Sequence, residues 1–235
     1  MSFNLIVPIA ADKPEYETSM PYLFNLGDDG TMLCIKAVTG LELSMFDVIY
    51  FVLLAKHFRR YALAEMFDIQ LRRLGMDNAR VVQLDSPTRC QAETVALTLR
   101  QLGLRGSIFI KDADNYFECE VIRQNGIAIY PLEAMPIVNP QNKSYVAVDD
   151  MYCITNIIEN RIVSRYFNAG GVCFGSADEY LHYFDALSRC EGHLRVSHIV
   201  YAMLLDRHLF RPFAAESFAD WGDPMSYRLN RMTVR

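Results

Sequence analysis

No apolar run in these 235 residues is long enough to cross a bilayer. The most apolar stretch, 48–55, breaks at once into Lys56-His57-Phe58-Arg59-Arg60, where a spanning helix needs about 20 apolar residues. No secretory leader precedes Asn4-Leu5-Ile6-Val7-Pro8, so a cytoplasmic protein without a membrane span is expected. Cys34, Cys90, Cys119, Cys153, Cys173 and Cys190 form no Cys-x-x-Cys pair, and free thiols in a reducing compartment fit them best. Positive charge is in short supply: 23 Lys and Arg face 28 Asp and Glu, giving a net charge of -5, and the basic residues do not gather into one block. That argues against nucleic acid as a partner. His57, His182, His193, His198 and His208 lack zinc spacing, and no nucleophile elbow supports Ser-His-Asp chemistry. Nor is there a repeat, a low-complexity tract or a linker, so one domain over 1–235 is expected.

The residues present, 51% of them hydrophobic, are enough for one substantial core. Apolar patterning predicts strands over 3–10, 47–54, 79–84 and 107–111, with helices over 31–41, 58–74 and 91–102 between them. Gly75 and Gly103 follow the last two helices as natural C-caps. Short strand-like pieces at 126–130, 144–148, 154–158 and 170–174 come next, then a helix opening near Ser176-Ala177-Asp178-Glu179 and running to 188. A helix over 196–206 and a final strand complete the pattern. Strands alternating with helices of this length predict a mixed, mostly parallel central sheet flanked by helices.

Chemistry concentrates where the 107–111 strand runs into Lys111-Asp112-Ala113-Asp114-Asn115-Tyr116-Phe117. Carboxylates at the end of a strand in an open α/β sheet project where such sheets bind ligands, and two acids and an amide can hold a hard cation against phosphate oxygens. A polar turn that merely closes the strand would use the same residue types.

With its neighbours, this segment resembles the sugar nucleotidyltransferases, or nucleoside-diphosphate-sugar pyrophosphorylases, and in particular the small bacterial capsule-associated and choline-phosphate cytidylyltransferase-like branch. Asn4 to Ala11 is similar to the family's first strand and nucleotide loop, and Cys90-Gln91-Ala92-Glu93-Thr94-Val95 to the segment near the base. The 111–117 segment resembles the metal turn. Ile158-Glu159-Asn160-Arg161-Ile162 and Gly170-Gly171-Val172-Cys173-Phe174 resemble the sugar-side motif and the strand behind it, and Asp220-Trp221-Gly222-Asp223-Pro224 the turn near the second metal carboxylate.

The resemblance implies a single-domain Rossmann-like, GT-A-like fold and attack of a sugar phosphate or related phosphomonoester on the α-phosphorus of a nucleoside triphosphate, CTP or UTP favoured, with release of pyrophosphate. By position, Asp114 and Asp220 would hold Mg²⁺. Pro8, Ala10, Ala11, Cys90, Gln91, Ala92 and Asp112 would contact the nucleotide, Asp112 also standing as an outer-shell acid or alternative ligand. Glu159 and Gly171 would serve the sugar phosphate, and Lys13 and Arg161 would supply catalytic charge. It leaves room for a homo-oligomer.

The chain also departs from the family pattern. Ala11-Asp12-Lys13-Pro14-Glu15-Tyr16 replaces a glycine-rich loop carrying an arginine; Met20 and Asn160 stand where lysines are expected, and Cys90 where glycine is usual. Reduced or lost chemistry is therefore an alternative: a nucleotide- or sugar-phosphate-binding regulatory or scaffold homologue. A glycosyltransferase using the Asp112-Ala113-Asp114 motif is a third, which the match around Trp221 disfavours.

Overall fold

The computed structural model describes residues 2–12, 16, 20–135, 143–189, 194–222 and 226–227. Among the described residues ten strands form one sheet: β1 (Phe3–Ile9), β2 (Val48–Leu54), β3 (Ala79–Leu84), β4 (Ser107–Lys111), β5 (Asn115–Cys119), β6 (Gly126–Pro131), β7 (Ser144–Val148), β8 (Ile154–Glu159), β9 (Tyr166–Phe174) and β10 (Arg211–Asp220). The order is β3-β2-β1-β4-β9-β6-β10-β5, with β7 joining β9 and β8. β1, β2, β3, β4, β6 and β10 run the same way, and β9 is inserted antiparallel between β4 and β6. The sheet is thus mixed and mostly parallel along its spine.

Helices cover both faces: α1 (Leu33–Lys36), α2 (Ala55–Arg60), α3 (Leu63–Arg73), α4 (Gln91–Leu102), α5 (Ala177–Leu187) and α6 (Val196–Leu205). The two-residue period of β1 sorts its side chains. Leu5, Val7 and Ile9 join the core that holds Leu63 and Phe67 of α3, whereas Ile6 joins the one that holds Val95 of α4, Tyr180 of α5 and Ile199 of α6. Burial on both faces explains the near-continuous apolar reading of β1 and β2. Among the described residues no helix is long and apolar enough to cross a membrane.

Two expected helices are corrected. Over 31–41 only α1 forms, because Gly40 lies so close to the Phe117 carbonyl of β5 that not even a methyl would fit, and the chain turns to reach that contact. The 58–74 helix begins earlier, at Ala55, and is split into α2 and α3 by Ala62, whose φ of 49° is left-handed. Part of the expected metal turn is itself a strand, since Asn115–Cys119 pairs antiparallel with β10. That pairing sets Asp220 opposite Asn115, so two segments a hundred residues apart end at one point.

Candidate active site

β1, β4 and β10 deliver their carboxyl ends to one cleft with three connected lobes. The first, of about 360 Å³, lies over the end of β1 and is lined by Pro8, Ala10, Ala11, Cys90, Gln91, Asp112 and Asp114 among others. Cys90 is the extended N-cap of α4, which places its neighbour Gln91 over the lobe, and the Gln91 amide donates to Asp112 Oδ1. Ala92 instead lies in the core, its carbonyl accepting the Tyr180 hydroxyl at 3.0 Å.

Lys13, Glu15 and Glu17 lie outside the described residues. Asp12, from the same loop, is paired with Lys56 at 2.6 Å, which offsets its charge. Met20 packs partly buried against the apolar core. Among the described residues lining this lobe the one cation is Arg89, which sequence reasoning missed; it is mostly exposed and its guanidinium is held by Glu93 at 2.8 Å and 3.0 Å.

The turn after β4 is organised from below by a lysine. Lys111 is fully buried, its ammonium donating to the Asp112 and Asn115 carbonyls, both at 2.9 Å, and to Asn115 Oδ1 at 2.5 Å, with the Phe117 ring at 4.4 Å. Burial pushes the Lys111 ammonium down to about 7, against the pull of Asp112 and Asp114. Burial, then the Asp114 charge, pushes the Asp112 carboxyl up to about 6. Asp114 is raised for the same first reason and secondly by Asp220.

Asp114 and Asp220 converge. The Trp221 amide donates to the Asp114 carbonyl at 2.8 Å, and a methyl on Gly222 would stand 3.1 Å from Asp220 Oδ1 and 3.6 Å from Asp114 Oδ2. Asp223 and Pro224 of the expected turn lie outside the described residues. Gly170, at φ 94°, lies beneath: a methyl there would overlap the Asn115 amide and come within 2.8 Å of Asp112 Oδ2. Gly171, the residue singled out from sequence, is wedged instead between Phe109 and Phe117 and lines none of the three lobes.

The second lobe, of about 290 Å³, lies between β7, β8, β9 and the start of α6. Glu159 ends β8 there and accepts the Ser144 hydroxyl at 2.5 Å, the Ser197 hydroxyl and the Arg195 guanidinium. Arg161 is exposed in the turn beyond, and none of the three lobes includes it. The third lobe, of about 360 Å³, collects Asp112, Asp114 and Asp220 with Lys143 and Arg195. Lys143 pairs with Asp220 Oδ2, its ammonium 5.3 Å from the centres of both the Phe167 and Phe218 rings. Neither Lys143 nor Arg195 was found from sequence. Each precedes a regular element, a position without a pattern of its own, although Lys143 is the cross-strand neighbour of Asn160, whose amide donates to its carbonyl at 2.8 Å.

Two carboxylates meeting at the ends of adjacent strands, with Asp220 raising Asp114, make an oxygen donor set that suits a hard divalent cation with phosphate and water completing its shell. The residues therefore fit Mg²⁺.

Comparison with solved structures settles the fold. A nucleoside-diphosphate-sugar pyrophosphorylase from Vibrio cholerae superposes with a TM-score of 0.78 over 97% of this chain and 99% of its own, at 16% identity. The fold is that of the sugar nucleotidyltransferases. An inositol-1-phosphate CTP transferase from T. maritima gives 0.73 at 15% identity over 99% and 95% of the two chains. A CTP:phosphocholine cytidylyltransferase from Streptococcus pneumoniae gives 0.71 at 16% identity, covering both chains completely. No family model and no curated protein sequence matches. In this nucleotidyltransferase fold, identity is so low that the side chains in the cleft must be argued one by one.

Proposed function

We propose that the chain transfers a nucleotidyl group from a nucleoside triphosphate to a sugar or polyol phosphate, releasing pyrophosphate. The observation that carries this reading is the meeting of three lobes at Asp112, with Asp114 shared by the first and third, which would let a nucleotide in the first lobe and a phosphomonoester in the second present their phosphates to each other in the third. Asp114 and Asp220 would hold Mg²⁺, whose chemistry when bound is to neutralise phosphate oxygens. Gln91 would orient Asp112, and Glu159, fixed by Ser144, Ser197 and Arg195, would accept acceptor hydroxyls.

A polyol suits the second lobe better than choline. Recognition of a quaternary ammonium calls for aromatic faces, and no aromatic residue is among the described residues lining it. Preference for CTP or UTP is supported by the sequence resemblance and by the CTP-using names of two similar structures. Surface polysaccharide or capsule synthesis rests on the resemblance alone.

A ligand-binding protein without turnover is the second reading, favoured by the scarcity of cations in the first lobe. A thermal-shift panel of triphosphates, nucleotide sugars and sugar phosphates with Mg²⁺, followed by pyrophosphate release on the hits, separates the two. Binding with turnover supports transfer, binding alone supports the second reading, and no stabilisation by any ligand of the panel overturns both.

A further inference from the structure

We propose that Lys143 is the acceptor-phosphate cation of this cleft, held in reserve on Asp220 until a divalent ion takes that carboxylate. Lys143 lies directly across the β7–β8 pair from Asn160: the Asn160 amide donates to its carbonyl, and the next pair in register is Ser144 with Glu159. Its side chain reaches the third lobe and not solvent, being only 14% exposed, and the ammonium stands over the Phe167 and Phe218 rings beside Asp220, in the lobe that Asp112 and Asp114 also line.

An ammonium among Asp112, Asp114 and Asp220 has one strong reason to be there in the ligand-free protein, which is to offset Asp220. Were Asp114 and Asp220 to hold a divalent ion, Asp220 would be neutralised by it and that reason would be gone, since like charges repel. The lysine is mobile along its four-carbon stem and retains the two ring faces as a rest, so it is free to pair with a phosphate arriving from the second lobe. Charge would thus be exchanged within the lobe: carboxylate to metal, ammonium to phosphate.

The inference rests on the proposed function for its account of turnover, but its test needs no turnover. Titration calorimetry on the full chain uses Mg²⁺ alone and then inorganic phosphate at saturating Mg²⁺. Lys143→Met should bind Mg²⁺ about tenfold more tightly, since a competing charged partner is gone, and phosphate about tenfold more weakly. Lys143→Arg should retain phosphate binding. Were Lys143 only a clamp ordering β10, Lys143→Met would weaken Mg²⁺ and leave phosphate unchanged; either result overturns the proposal. Should Lys143→Met fail to fold, Lys143→Gln takes its place under the same criteria. Opposed shifts in Lys143→Met together with a wild type that releases no pyrophosphate from any matched pair would sink the transfer reading and leave the Lys143 assignment standing.

Discussion

In the first lobe of the cleft, Arg89 is the one cation among the described lining residues, and it is exposed and already bound by Glu93. The third lobe holds Lys143, largely buried on Asp220, and Arg195, paired with Glu159 and itself 47% exposed, with Lys111 buried beneath. Breaking an exposed pair costs little, whereas removing one partner of a largely buried pair such as Lys143–Asp220 leaves a charge uncompensated and costs more. Among the described residues, the positive charge of the cleft therefore gathers in the third lobe rather than in the first.

The sharpest way to break that comparison is at the point where the halves join. Asp114→Asn should lower metal-dependent triphosphate binding or turnover about a hundredfold or more, as is common for loss of a charged contact on reacting phosphates. In the same variant the metal-free protein should melt higher, because the repulsion from Asp220 is relieved; equal Mg²⁺ dependence in wild type and variant would remove Asp114 from the site.

Next in size is the framework itself. Gly170→Ala combines a left-handed φ with a collision against Asn115 and Asp112, and should cost about 2–3 kcal/mol in urea unfolding, beyond the ordinary price of a glycine substitution. A cost below about 0.5 kcal/mol would show that the turn after β4 yields easily.

The two ends can then be compared directly. Arg195→Ala strips Glu159 of its cation and should raise the KM for the acceptor about tenfold, while Arg89→Ala should change the KM for nucleotide only severalfold. The reverse ranking, in steady-state kinetics or in binding when there is no turnover, would invert the picture drawn above.

The smallest effect is with pH. Asp112 sits at about 6 in the folded chain, above the ordinary carboxylate value of 3.8, so the folded state holds its proton more strongly than the unfolded one. That contribution is fully present below about pH 4 and is lost as pH rises through 6. Mg²⁺ should therefore raise the melting temperature by about 2–4 °C more at pH 7.5 than at pH 5, where protons compete for the carboxylates. A Mg²⁺ shift independent of pH would contradict the placement of Asp112 and Asp114 near the ion.

Much of the fold could be read from local pattern. α4 spans Gln91–Leu102 as expected and Gly103 takes the left-handed cap at φ 63°, because periodicity and a glycine stop act within one turn of helix. β7 likewise spans Ser144–Val148 as expected. The helix expected over 31–41 was not legible, since Gly40 answers to Phe117, nearly eighty residues away. The break at Ala62 was equally hidden: nothing in an alanine announces a positive φ. In the site, Asp112 and Asp114 showed themselves because two acids at a strand end are a local pattern. Arg195 and Lys143 did not, because each acquires its meaning from a carboxylate on another element.

The order of strands and helices, the apolar faces and the acidic turn after β4 follow from the sequence by itself, since each depends on the spacing of neighbours along the chain. Only the tertiary structure decided that β10 pairs with β5 and so carries Asp220 to Asp114, and that Lys143 stands across from Asn160 with its charge in the cleft. The physical reason is that charges act through space, and which distant charges come within a few ångströms of each other is settled by strand register and packing.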